Sequence, residues 1–220
     1  MSIRAWVVAG VAILATACAS SGVDRTDSLM KSLDGLATAS STARADVEKV
    51  TATLKGFSEA AATDPRGALK QYQAEVGKVA GSRSAVSSAG TSVRQAMDAH
   101  FAAWEKDANQ MSNSDIREAS MKRRDEARET MGALEPKIAE SAKMFDSYIS
   151  NLRDIEKLLG TDLSAGGVEA ASSAMGKAAD QAEDVAEALQ KVEESANELR
   201  TKLGVPASPK PNEPAKEPSK

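Results

Sequence analysis

Apolar residues recur along most of this chain in alternating steps of three and four, the spacing that keeps a seam on one side of a helix. The first seam is Leu29, Leu33, Leu36, Ser40, Ala43, Val47, Val50, Leu54 and Phe57. It stops at "ATDPRG", where Asp64 can cap a new helix that has Pro65 in its first turn. The second seam continues through Leu69, Tyr72, Val76, Val79, Arg83, Val86, Gly90, Val93, Met97, His100, Trp104, Asp107 and Met111, and ends at "SNSD". A third runs Met131, Leu134, Ile138, Ser141, Phe145, Tyr148, Leu152, Ile155 and Leu159, closed by "GTDLSAGG". Pro136 lies inside it and removes one backbone donor, which predicts a kink and not an end. The fourth is Val168, Ala171, Met175, Ala178, Ala182, Val185, Leu189, Val192, Ala196, Leu199 and Leu203, stopped by Gly204 and Pro206.

Four long amphipathic segments joined by short connections predict an all-α fold, an elongated antiparallel up-down-up-down four-helix bundle with coiled-coil packing. Two separate helical hairpins, or three packed helices with the fourth loosely attached, use the same segments. Reflecting the segments about their turns predicts that Ser40, Arg83, Ser141 and Ala182 share one height near the middle. Arg83 is expected to reach out to solvent and meet Glu140 or Glu183, since long cationic chains snorkel. The same reflection sends Phe57, Tyr72, Phe145 and Tyr148 to one end as core fillers. It sends His100, Phe101 and Trp104 to the other end, near Leu29, Ala127 and Leu199.

The segment before the first seam is different in kind. "MSIRAWVVAGVAILATAC" opens with a basic residue, Arg4, continues as an apolar stretch from Ala5 to about Ala17, and closes in small residues, the layout of a secretory signal. It is shorter than the roughly 20 apolar residues that span a bilayer. Leu14-Ala15-Thr16-Ala17-Cys18 resembles the lipobox of bacterial lipoproteins, with the leucine one place further from the cysteine than is usual. That resemblance implies cleavage before Cys18 and lipid attachment to it. Cys18 is the only cysteine, so internal disulfides are excluded, and an unpaired thiol is otherwise a liability in an oxidising compartment. Several acyl chains on one residue make a stable anchor where a single chain does not. Ala19 and Ser20 follow, not the aspartate of an inner-membrane retention signal, and by that analogy the destination is the periplasmic side of the outer membrane. The domain plan is thus 1–17 signal peptide, 18–23 lipidated terminus and linker, 24–204 helical bundle, and 205–220 a disordered tail rich in proline and lysine.

Composition narrows the function. A net charge of -4 leaves no basic surface for nucleic acid, and a single histidine leaves no His/Cys zinc site. Only 3% of residues are aromatic while 27% are charged, with signs well mixed, as in long solvated helices. His100, alone on its seam, is expected to be packed and not a ligand. The basic cluster Lys122, Arg123 and Arg124 is followed at once by Asp125, Glu126 and Glu129, so a self-neutralised helix face is expected in preference to a lipid headgroup site. Asp180, Glu183, Asp184 and Glu187 form an acidic strip with no calcium-loop pattern. No nucleophile elbow, P-loop or dinucleotide fingerprint is present in the sequence.

Between Phe101 and Gly160 the chain resembles a family of predicted coiled-coil bacterial lipoproteins catalogued as a domain of unknown function. The features that carry it are Phe101 and Trp104 before Glu105, the polar turn Ser112 to Ser114, Arg117 with Ser120 soon after, and Glu135-Pro136. The resemblance implies an envelope location and a helical architecture, and no activity. The expectation is a non-enzymatic cell-envelope lipoprotein without cofactors, held to the membrane through a lipid anchor at Cys18. Its helical rod would serve in the periplasm as a spacer or a docking scaffold, touching an envelope protein or the cell wall. The alternatives are a periplasmic binding or sensing module that recruits a partner helix, its second helix weakened by Gly77, Gly81 and Gly90, or a soluble secreted helical protein if Cys18 is not lipidated. A hydrolase built on a carboxylate site in the bundle is weaker still, because no inward acidic pair extends beyond Asp107. The sequence sets no oligomeric state.

Overall fold

The computed structural model describes residues 22–202, and within them the chain forms four helices: α1 (Gly22–Thr63), α2 (Pro65–Asn109), α3 (Ser114–Thr161) and α4 (Ala165–Lys202). The expected signal segment, Cys18, Leu203 and the expected tail lie outside the described residues. The first helix begins at Gly22, just ahead of the Asp24 boundary read from the sequence. At 42, 45, 48 and 38 residues the helices are each roughly 57 to 72 Å long.

Each connection is short and chemically specified. Between α1 and α2 stands Asp64 alone, whose carboxylate accepts from the Gly67 N–H at 3.0 Å while Pro65 occupies the first helical position. A Cβ on residue 67 would lie 2.2 Å from that carboxylate, so glycine leaves the room the cap needs. Asn113 caps α3 by accepting from the N–H groups of Asp115 and Ile116. Ahead of α4, the Asp162 side chain accepts from Ser164 N–H and the Ser164 hydroxyl accepts from Gly167 N–H. α3 runs without a break through the exposed Pro136.

Short turns force antiparallel neighbours. α1 packs on α2 and α4, and α3 packs on α2 and α4, so the helices stand at the corners of a square with α1 facing α3 across the diagonal. This is the up-down-up-down four-helix bundle that the seams predict. Every seam residue of α1, and every described one of α4, is buried. α3 keeps its seam with Ile138 half-buried.

α2 departs from its seam at three places: at its start Ala68 is buried and Leu69 only half-buried, and the other two departures have polar reasons. Arg83 stays on the flank and Ser82 is buried in its stead, donating to the Asp46 carboxylate on α1. The Arg83 guanidinium forms two 2.8 Å bonds with Asp146 on α3, so its partner is neither of the expected glutamates. Near the end of α2, Asp107 is exposed and Phe101 and Ala108 fill the core. A straight helix drifts from a strict seven-residue repeat, and the charged residue is the one left in water.

The level predicted for Ser40, Arg83, Ser141 and Ala182 needs correction. Because Asp64 alone joins α1 to α2, the chain folds back about that residue, which sets Asp46 beside Ser82 and Ser40 level with Ser88, about half a turn from Gly90. Gly90 in turn meets Ile138, one turn from Ser141. Lys137 bonds to Ser195 at 2.5 Å, which brings α4 to that height at Ser195 and Ala196. Arg83 lies about a turn and a half away, and Ala182, next to the 2.6 Å bond between Asn151 and Gln181, is further still. The waist of the bundle is therefore built from serine, glycine and alanine, with larger side chains toward both ends.

Candidate functional site

Three parts of the molecule carry chemistry beyond packing: the end where α1 begins, the opposite end, and the groove between α3 and α4. At the first end, Arg25 on α1 pairs with Asp107 on α2, and Arg200 on α4 pairs with Asp34 on α1 at 2.9 Å. The first pair holds the start of α1 beside the end of α2, and the second sets the last turn of α4 about three turns further along α1. The sequence-predicted site residue, Cys18, lies outside the described residues; α1 starts four residues after it, at this end.

The aromatic cluster expected here is present. His100 stacks edge-on to Phe101 and Trp104, with centroids 5.7 and 5.5 Å apart, and the Trp104 indole N–H donates to Ser120 on α3 at 2.8 Å. Arg128 lies over the Phe101 ring, 5.4 Å from its centroid. Neither ring nitrogen of His100 has a hydrogen-bond partner, and burial, reinforced by the charge on Arg25, holds the imidazole pKa below its usual value. A neutral, unpaired ring between other rings is a packing residue. Arg117 reaches back to the carbonyl of Met111, closing the α2–α3 turn.

The basic cluster divides. Lys122 and Arg123 are exposed, whereas Arg124 is buried and paired with Glu105 at 3.0 Å and Asp125 at 2.7 Å. The three are alike in charge and adjacent in sequence, and what sets Arg124 apart there is its position one turn before Ala127 on the buried stripe. The burial of Arg200 and Ser82 has no such signal, since both stand beside a seam residue and not on it.

At the opposite end, Phe57 and Tyr72 meet beside the Asp64 turn, and the Tyr72 hydroxyl donates to the Leu152 carbonyl at 2.7 Å. Burial pushes the phenol of Tyr72 above its ordinary range, with the charges of Tyr148 and Glu156 adding to the effect. It stays protonated as a fixed donor.

The acidic strip of α4 faces outward. Glu187 is tied to Lys191 at 2.8 Å, and among the described residues no cluster of histidine, cysteine, aspartate or glutamate has the placement to hold a metal ion. Asp184 and Glu187 instead help to line a groove between α3 and α4, with openings of about 340 and 290 Å³ that share Gln181. Met144, Ile155, Val185 and Ala178 supply its apolar floor. Among the described residues no helix is long and apolar enough to cross a membrane.

Residues 16–203 match the family described as "Protein of unknown function (DUF2959)", and the chain belongs to that family. No curated protein and no solved structure matched it. The matched region takes in Cys18 and the whole described bundle. Several of the residues that carried the sequence resemblance act together in the fold, where Trp104 with Ser120, and Arg117 with the Met111 carbonyl, brace the α2–α3 turn from both sides.

Proposed function

We propose that this protein is a non-enzymatic cell-envelope lipoprotein, anchored by lipid at Cys18 to the periplasmic side of the outer membrane, whose helical rod acts as a spacer or docking scaffold. The observation that carries this reading is the polarity of the bundle. α1 begins four residues after Cys18, at the end that also holds the α2–α3 turn, while Asp64 and the Asp162 to Ser164 turn lie at the opposite end. A tether at Cys18 therefore holds one end against the membrane and carries the other roughly 60 Å away from it. The distal end, with exposed turns and a firm aromatic core beneath them, is the part able to meet the cell wall or an envelope protein.

Two features support a role in binding and holding. Buried and interhelical polar groups are used to lock helices together, as with Arg124, Arg200 and Tyr72, and a carboxylate strip on α4 faces solvent. The test is salt-resistant membrane fractionation of the wild type beside Cys18→Ala. The wild type is expected in the membrane pellet and the variant in the soluble fraction; equal soluble amounts of both dispose of the anchor. Pull-down with the full chain against purified cell wall and against solubilised envelope proteins then separates spacer from scaffold, and capture by neither removes the support for a distal contact.

A further inference from the structure

The α3–α4 groove runs from Lys137 to Leu158, roughly 30 Å along the rod. Its walls carry charges of opposite sign at matching heights. The Lys137–Ser195 and Asn151–Gln181 bonds fix how α3 and α4 are staggered. On that stagger Glu140 on α3 stands within one residue of the level of Lys191 on α4, Asp154 within one residue of Lys177, and Lys143 within a turn of Glu187. None of Glu140, Lys143, Asp154 and Lys177 forms an ion pair with any described residue, because each stands on its own wall with the groove between. Leu158, at the upper rim, is 40% exposed, one of two large apolar side chains so placed among the described residues.

We propose that this groove is the seam of a homodimer in which a second copy of the chain lies parallel to the first, with α3 of each against α4 of the other. A two-fold axis running along the groove keeps every residue at its own height and exchanges the two walls. Asp154 and Lys177, unpaired within one copy, thereby become a pair between copies that is made twice, while Glu140 and Lys143 come level with the Lys191–Glu187 pair of the other copy and add a second charge to each of its ends. Charge matching of this kind sets the partner and the orientation, while burial of the exposed Leu158 and the half-buried Met144 supplies the attraction. A second copy is the occupant the pattern selects, since one face holds both halves of the complement. Parallel copies point the same way along the rod, as two chains anchored in one membrane must, although the dimer does not depend on the anchor.

The test uses the full chain carrying Cys18→Ala, so that introduced cysteines stand alone. Sedimentation equilibrium should show a dimer. Asp154→Lys should weaken it about tenfold, and Asp154→Lys combined with Lys177→Glu should restore it. Oxidation of Leu158→Cys and of Met144→Cys, each by itself, should give disulfide-linked dimers, because residues beside a parallel axis meet their own copies. A mixture of the two variants should give no cross-product. All variants are compared at unchanged helical circular dichroism. A monomer at every concentration, a dimer indifferent to Asp154→Lys, or a disulfide formed only between the Leu158→Cys and Met144→Cys chains, which marks an antiparallel pair, overturns the proposal.

Discussion

Phe57 on α1 and Tyr72 on α2 meet edge to face with ring centroids 6.1 Å apart, and Tyr72 then donates its hydroxyl to the backbone of Leu152 on α3. Three helices are thus tied at one height close to the Asp64 turn. Removing the hydroxyl with Tyr72→Phe should cost about 1 kcal/mol. Removing the ring with Phe57→Ala should cost about 3 to 5 kcal/mol. Denaturant unfolding followed by circular dichroism checks both, and a Tyr72→Phe protein as stable as the wild type shows the hydroxyl bond to contribute nothing.

The Ser40 hydroxyl is fully buried at the waist and has no hydrogen-bond partner. A buried hydroxyl without a partner is a cost, and alanine is the better helix former. Ser40→Ala should therefore raise stability by about 1 kcal/mol, read as an upward shift in the denaturation midpoint. A fall in stability would mean that the hydroxyl has a partner after all.

Glycines in α2 separate into two kinds. A Cβ at Gly77 or Gly81 meets nothing within 4 Å, whereas one at Gly90 comes within 3.1 Å of Ile138 on α3. Gly77→Ala and Gly81→Ala should each stabilise the bundle by about 1 kcal/mol. Gly90→Ala should fall short of both, and the shortfall should vanish when the change is made in an Ile138→Ala background, which removes the Cγ2 methyl that faces residue 90. Three equal gains would show that α2 and α3 do not approach closely at Gly90.

His100 gives the bundle a pH dependence with a fixed sign. Burial and Arg25 depress its folded pKa below the ordinary 6.5, so the unfolded chain takes up the proton first as pH falls. The contribution is intact above about 6.5 and is lost as pH drops from there toward the folded value. His100→Leu removes the titrating group. Thermal melts from about pH 8 to about pH 5 should show a larger loss for the wild type than for the variant; parallel curves would contradict the burial of the neutral ring.

The helices were legible in the sequence because a seam of small and medium apolar residues recurs with almost no interruption. From Leu29 to Phe57, and again from Val168 to Leu199, each seam residue is in the core. The polar ties were not legible. Arg83 sits on the arithmetic of the seam, yet its guanidinium is better solvated beside Asp146, and the small Ser82 next to it takes the buried place. A repeat of three and four fixes the stripe to within one residue, and at the margin solvation energy decides which residue turns inward. The level of the middle layer was misplaced because one residue makes the α1–α2 turn, and where that pivot falls depends on the Asp64 cap. Arg124 and Arg200 are buried beside carboxylates supplied by neighbouring helices, a pairing that no spacing within one helix records.

The anchored rod is tested most directly by mass spectrometry of the amino-terminal peptide from protein purified out of its native membrane. The expected product is a chain that begins at Cys18 and carries the mass of several fatty acyl groups on that residue. A free thiol at Cys18, or an unprocessed chain with Met1 still in place, would contradict it.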